Sequence, residues 1–328
     1  MLTSGTAAPV NLGTFDRRAI PACARESRWT TPDGAAIRRI DWDRAGDASP
    51  RGSLLFLPGR GDFYEKYLET LDHWAQAGWQ VTASDWRWQA GSGRHAADPR
   101  VGDVSDFSVW VDDLAALWAQ WTAQTPGPHV IVGHSMGGHL VLRALAEGRI
   151  APDAVVLSAP MLGFVTPIPG FVQRAVARLM CRIADPARMA WSASEKPGSP
   201  PAARHVLLTH DADRYADELW WRVQRPELDL GPGSWRWVER ASASNAGLAA
   251  PGVLEGVRAP ILILATRFDG LVSWGAIRRA ARRLPRAELV AWGREGRHEL
   301  LREVDAVRDR AVEAIDDFLD RMAPAPQG

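Results

Sequence analysis

Short, almost wholly apolar runs recur along the chain, and between them lie stretches whose apolar positions return every three or four residues. "SLLFLPG" (53–59), "WQVTASDW" (79–86), "HVIVGH" (129–134), "DAVVLSA" (153–159), "PILILAT" (260–266) and "AELVAW" (287–292) are of the first kind. They are too short for helices and do not alternate, which predicts strands of a sheet covered on both faces. "AAIRRIDW" (35–42) does alternate, and predicts an edge or antiparallel strand. Helical spacing is carried by Phe107, Trp110, Val111, Leu114, Leu117, Trp118 and Trp121, and again by Val304, Val307, Ala311, Ile315 and Phe318. The alternation of strand and helix predicts an α/β fold with right-handed crossovers and a mainly parallel central sheet flanked by helices.

The rhythm breaks between residues 161 and 250. "MLGFVTPIPGFVQRAVARLMCRIADP" opens on Pro/Gly punctuation and becomes one amphipathic helix, with Phe171, Val172, Ala175, Val176, Leu179 and Ile183 on a face. "EKPGSPPAA" follows as a loop, then further helical pieces, before strands resume at Pro260. This predicts a helical cap over 161–250 inserted into a core of 25–160 and 251–322. Residues 1–24 show little periodicity and are expected to pack loosely, and 323–328 form a frayed tail.

Composition narrows the partners. Lys plus Arg equals Asp plus Glu at 39 each, so net charge makes no case for nucleic acid. Two cysteines, Cys23 and Cys181, form no disulfide framework or metal-ligand spacing and favour a reducing compartment. The first residues lack a basic start followed by an apolar core, and no run reaches the roughly 18 apolar residues of a membrane span. A cytoplasmic protein is therefore expected. The 16 tryptophans, against 3 tyrosines, fit a large core with partly buried indoles better than they argue for an apolar pocket.

One stretch asks for chemistry. Gly133-His134-Ser135-Met136-Gly137 follows a strand pattern and runs at once into the helical pattern "MGGHLVLRALAEG". G-x-S-x-G between strand and helix is a sharp turn that presents a serine hydroxyl beside a helix N-terminus, and its glycines remove side chains that would clash. A glycine-rich turn that happens to hold serine is the plainer reading, and the strand–turn–helix context favours a nucleophile. Such a serine needs a base. In chain order, Asp269 follows the strand "ILILAT" and His298 follows "AELVAW", each past a strand's C-terminal end, where a parallel sheet gathers its site. The amides of Met136 and Arg60 are the expected oxyanion donors, Arg60 lying in the loop "PGRGDFYEKY" after a strand. His134 is an alternative base, but its place beside the serine suits support. His205 and His210 lie in or near the cap without converging ligands, and "HELLR" lacks the second histidine of a zinc-protease helix, so no metal is expected.

"LPGRGDFYEKYLE", "SDWRWQAGSGR", "VSDFSVWVDDL" and "GHSMGGHL" together resemble the α/β-hydrolase fold, and within it the lysophospholipase and monoacylglycerol lipase branch, over most of 30–320. The resemblance implies a serine hydrolase that removes one acyl chain from a glycerol-type lipid, with no cofactor. This chain departs from its relatives in having Pro58-Gly59 where many have His-Gly, and Trp88 and Ala90 where many have glycines, so that an indole would narrow the pocket or alter the loop. The cap would supply the long apolar slot such a lipid needs, from Phe164, Val165, Phe171, Trp220 and Trp221, unless these only pack cap onto core. The helix with Arg174, Arg178 and Arg182 would rest on an anionic membrane surface or be a solvated basic face. Rival readings are a carboxylesterase or thioesterase for smaller soluble esters, and a non-catalytic binding protein on the same fold. Dehalogenase and epoxide-hydrolase chemistry is disfavoured, because related enzymes of those types carry aspartate where this chain has Ser135.

Overall fold

The computed structural model describes residues 15–42, 50–166, 168, 170–191 and 202–325. Eight strands form one sheet: β1 (Ala24–Thr30), β2 (Ala36–Trp42), β3 (Gly52–Leu57), β4 (Trp79–Ser84), β5 (His129–His134), β6 (Ala154–Ser158), β7 (Ile261–Thr266) and β8 (Ala287–Trp292). Their spatial order is β1-β2-β4-β3-β5-β6-β7-β8. β1 and β2 pair antiparallel with each other, β2 pairs antiparallel with β4, and every later pairing is parallel.

The apolar runs explain the layering. Leu55, Leu57, Ile131, Val155, Leu157, Ile261 and Ile263 face one core. The residues between them, Leu54, Phe56, Val130, Val132, Val156, Leu262 and Leu264, face the other. Side chains two apart share a face, so a strand buried on both sides must be apolar at every position. On the first face pack α2 (Phe107–Thr122), α3 (Met136–Ala146) and α8 (Trp274–Arg283); on the second pack α1 (Leu68–Gln76) and α9 (Asp305–Met322). Trp74, Trp79, Trp110, Trp121 and Trp292 are all fully buried in these two cores, which accounts for much of the tryptophan content.

Among the described residues, four α-helices lie between β6 and β7: α4 (Gly170–Ile183), α5 (Ala202–Leu208), α6 (Ala212–Gln224) and α7 (Trp235–Leu248). The apolar face of α4 turns outward. Phe171, Leu179 and Ile183 are 73%, 54% and 66% exposed, while Ala177 on the opposite side is buried. Most of the expected 195–203 loop lies outside the described residues.

The structure corrects the expectation in three places. β1 was not anticipated, because an edge strand whose side chains are mostly exposed has no apolar signature. β2 is antiparallel, one of the two expected alternatives, and β1 covers its outer edge. Residues 1–14 lie outside the described residues, but 15–23 do not pack loosely. Arg17 and Arg18 both pair with Asp217 of α6, at 2.6 and 2.7 Å, and the Trp221 indole donates to the Arg17 carbonyl at 2.9 Å. At the other end, Ala323 is buried, so the frayed tail begins later than expected.

The junction of β5 and α3 is packed backbone to backbone. A Cβ on Gly133 would lie 2.8 Å from Gly138 Cα, and one on Gly137 would lie 2.5 Å from the Pro58 carbonyl oxygen. Neither neighbour is a flexible side chain that could yield. We expect Gly133→Ala to lower the free energy of unfolding by about 1–3 kcal/mol, as overpacking does. Urea unfolding followed by circular dichroism measures it, and an unchanged midpoint would show that the junction is not tight.

Candidate active site

The tip of that junction is Ser135. Its backbone has φ 49° and ψ −113°, a region that costs a non-glycine residue about 1–3 kcal/mol. Three bonds hold it there: Ser135 N donates to the Ser158 carbonyl at 2.9 Å, and His139 N and Met161 N each donate to the Ser135 carbonyl at 3.0 Å. The turn drives the hydroxyl away from the sheet, and α3 begins at the next residue, Met136.

Loops from two other strands meet it. Past β7, Asp269 Oδ1 accepts from the amides of Leu271 and Val272 at 2.7 and 2.9 Å. Asp269 Oδ2 lies 2.8 Å from His298 Nδ1, and His298 Nε2 lies 3.0 Å from Ser135 Oγ. With its Nδ1–H donating to the carboxylate, the imidazole presents Nε2 as an acceptor to the hydroxyl. The loops that carry Asp269 and His298 are tied together, since Arg267 N donates to the Trp292 carbonyl at 3.0 Å and Thr266 Oγ1 to the Gly293 carbonyl at 2.9 Å.

Electrostatics fit a base. Burial pulls the His298 pKa down, but the charge and hydrogen bond of Asp269 outweigh it, and the net shift is upward. Burial pushes the Asp269 pKa up, and His298 with the two loop amides brings it below its ordinary value. His134 behaves differently: burial and then the neighbouring His298 lower it to about 4, which keeps it neutral. Its ring packs between Tyr67 and His298, at 5.9 and 4.9 Å, so it is a support and not a second base.

A buried ion cluster lies beside these residues. Lys66 Nζ, 1% exposed, is within 2.8 Å of Asp62, 3.0 Å of Glu218 and 2.6 Å of Glu299. Arg302 pairs with Glu218 at 3.0 Å and with Glu299. Asp62, His134 and Glu299 place ligand atoms within 4.8 Å of one another, the spacing of a metal site. The ammonium of Lys66 already bridges both of those carboxylates. Burial works against that charge, but Asp62, Glu218 and Glu299 hold the lysine pKa up. The cation of this cluster is therefore an amino-acid side chain. His205 stacks on Tyr215 and His210 binds Glu303 at 2.9 Å, so neither joins it.

Ser135 and His298 open on a cavity of about 240 Å³. Arg60 and Phe164 line it with Trp191, Leu207, Trp237 and Leu271. Phe164 is the one pocket residue anticipated from sequence that reaches it. Trp88 does not: it sits in a tight turn with its ring 4.4 Å from His95. Trp220 lies beneath Arg18 at 5.9 Å, and Trp221 is buried in the core on the α1–α9 side. Phe171 points to solvent and Val165 borders a neighbouring cavity. These corrections share one cause. Helical period tells which residues are apolar together, but not whether that face meets the site, another core or water. Trp191, Trp237, Leu207 and Lys66 went unnoticed because their neighbours in space are remote in sequence.

A serine–histidine–aspartate chain at the C-terminal edge of a mostly parallel sheet defines a hydrolase of the α/β-hydrolase class. The chain belongs to the Hydrolase_4 family, described as "Serine aminopeptidase, S33", whose model matches residues 48–305. It is 33% identical over 291 residues to "Lysophospholipase L2" of Escherichia coli (strain K12), covering 82% of this chain and 80% of that protein. It is 32% identical to "Monoacylglycerol lipase" of Mycolicibacterium smegmatis over 115 residues, 35% of this chain and 39% of that one. A soluble variant of the monoglyceride lipase of Saccharomyces cerevisiae, solved with a substrate analogue, shares the fold with a TM-score of 0.73 at 19% identity, covering 97% of this chain and 99% of that one.

Because Asp269 raises the His298 pKa, the rising limb of kcat/KM against pH should have its midpoint above the ordinary imidazole value of about 6.5. Activity falls as pH drops through that midpoint, since imidazolium cannot accept the Ser135 proton. Asp269→Asn removes the charge that favours imidazolium, so the midpoint should move down, with kcat falling by about 10⁴-fold. A midpoint unmoved by Asp269→Asn would contradict this assignment.

Proposed function

We propose that this chain hydrolyses the carboxylic ester of a monoacyl lipid, a lysophospholipid or monoacylglycerol, through an acyl-enzyme on Ser135. The observation that carries the reading is the cavity beyond the serine. Phe164, Trp191, Trp237 and Leu271 wall both the serine cavity and a second one of about 360 Å³, which Val165, Val176 and Trp235 also line. A long acyl chain whose carbonyl lies at Ser135 would meet this aromatic wall and reach the second cavity once its rings part. The named activities of the bacterial relatives support the same substrate class.

The chemistry needs only residues of this chain. His298 Nε2 takes the hydroxyl proton as Ser135 Oγ attacks the ester carbonyl. The tetrahedral oxyanion is met by the amides of Arg60 and Met136, aided by the N-terminus of α3. His298 then gives its proton to the departing glycerol oxygen, leaving the acyl group on Ser135. Water, deprotonated by the same imidazole, attacks the acyl-enzyme, and its proton goes back to Ser135 Oγ as the fatty acid leaves. We assign the helices between β6 and β7 to a cap that shields these steps from bulk water.

Fatty-acid release should be measured from a lysophospholipid and a monoacylglycerol, beside a short-chain aryl ester. We expect release from at least one lipid, lost by about 10⁶-fold in Ser135→Ala. Turnover of the short ester alone would keep the serine mechanism and favour the rival carboxylesterase or thioesterase reading.

We also propose that the outward face of α4 rests on a lipid surface. Phe171, Leu179 and Ile183 are exposed beside Arg174, Arg178 and Arg182, an apolar and basic combination suited to anionic headgroups. Among the described residues no helix is long and apolar enough to cross a membrane, so this contact would be peripheral. The protein should sediment with phosphatidylglycerol vesicles more than with phosphatidylcholine vesicles, and Phe171→Asp combined with Leu179→Asp should abolish the difference. Equal sedimentation of the wild type with both would remove the idea.

A further inference from the structure

The loop after β3 is held from several directions. Pro58 O accepts from the Trp86 indole at 2.8 Å. Gly59 N donates to Asp62 Oδ2 at 3.1 Å, and Gly61 N donates to Gln89 Oε1 at 2.7 Å. Gly61 O accepts from Arg222 at 3.3 Å. The peptide units on both sides of the Gly59–Arg60 unit are thus each fixed by a side chain. The loop also lies against the nucleophile, since a Cβ on Gly59 would sit 3.2 Å from Ser135 Cβ.

Gln89 reaches the other wall as well. Its Nε2 faces Met136 Sδ at 3.9 Å, a weak acceptor but a close neighbour. One buried amide side chain therefore touches the loop of Arg60 with its oxygen and the residue after the nucleophile with its nitrogen. Its own backbone is tightly wound. Trp88 has φ 65° and Ala90 has φ 46°, both in the left-handed region that favours glycine. Trp88 N donates to Ser92 O at 2.9 Å, Ser92 N to Gln89 O at 2.9 Å, and Gln89 N to Trp86 O at 3.1 Å. The turn is closed on itself, and side chains rather than hydrogens stand at its two left-handed positions. A non-glycine residue has fewer conformations open to it than glycine, so this turn has little freedom to let Gln89 drift.

We propose that Gln89, presented by the Trp88–Ala90 turn, is a positioning residue that holds the Arg60 amide and Met136 in register with Ser135, so that the oxyanion hole is formed before substrate arrives. This rests on the assignment of the Arg60 and Met136 amides to the oxyanion in the proposed hydrolase. Gln89 touches no reacting atom in this scheme. Its effect belongs to the transition state, because a ground-state carbonyl makes weaker use of those donors than an oxyanion does.

The test compares wild type, Gln89→Met and Gln89→Asn on a short-chain aryl ester. It also measures affinity for an alkylboronic acid, which becomes tetrahedral on the serine, and for an uncleavable ether analogue of the ester. Methionine keeps the volume but cannot hold the Gly61 amide as the glutamine oxygen does, and asparagine keeps the polarity but withdraws it from reach. Removing an oxyanion donor outright costs about 10²–10³ in kcat, so loosening one should cost about 10- to 100-fold. We expect kcat and boronate affinity to fall by the same factor, with KM and ether affinity within about twofold of wild type, and Gln89→His, whose ring nitrogen can accept from Gly61 N, to recover most of the loss. If either folded variant keeps kcat and boronate affinity within threefold, or if ether affinity falls together with kcat, the positioning role is overturned. A wild type inactive on every ester would instead overturn the hydrolase reading, and this proposal with it.

Discussion

The backbone of Ser135 is the constraint on which the rest of the site depends. A residue at φ 49° and ψ −113° between a strand and a helix is strained. It persists because its surroundings leave no alternative. Gly133 and Gly137 let β5, α3 and the β3 loop approach to distances at which any Cβ would collide with backbone, and a Cβ on Gly138 would be crowded. That close approach puts the hydroxyl at the sheet's C-terminal edge and the N-terminus of α3 directly behind it. The strain is offset by two extended hydrophobic cores, one on each face of the sheet, where each buried leucine or phenylalanine contributes about 1.5–3 kcal/mol.

Around this point the protein places charge with care. Three carboxylates, one ammonium and one guanidinium are buried together next to the imidazole. Taking those groups out of water is expensive, and only their mutual pairing makes it tolerable. Lys66 belongs to the segment after β3, Glu218 to α6 and Glu299 to the loop of His298. One cluster thereby fastens the loop after β3, helix α6 and the loop of His298 to each other. Trp191 and Trp237 line the cavity, and the Arg60 guanidinium lies near both rings, 5.3 and 5.1 Å from their centroids. The residue assigned as an oxyanion donor is thus anchored by its side chain as well as its backbone.

How much of this could be read in advance follows from range. β3 to β7 were legible because burial on both faces demands unbroken apolar runs, a local property; β8, an edge strand with Glu288 exposed, was legible from its short apolar run alone. α2 and α9 were legible because their apolar positions keep a helical period. β1 was not, because its side chains are mostly exposed and its partner is supplied by β2 alone. Within the site, Ser135, Asp269 and His298 could be singled out by their positions after strands. Lys66, Glu218, Trp191 and Trp237 could not, because a lysine near a carboxylate in sequence, or a tryptophan in an insertion, has many plainer explanations.

By itself the sequence determined strands β2 to β8, the turn that exposes Ser135 and the chain order of the three polar residues that follow strands. Those features depend on residue period, on glycines at a crowded turn and on the rule that loops at one end of a parallel sheet converge. Only the tertiary structure decided which aromatic side chains wall the cavity, which face of α4 meets water, and that a lysine fills the cation position among Asp62, His134 and Glu299. Each of these is set by how separate segments pack against one another, with contacts spanning up to 233 positions of the chain in the case of Lys66 and Glu299. No local pattern of hydrophobic and polar residues encodes a partner that far away.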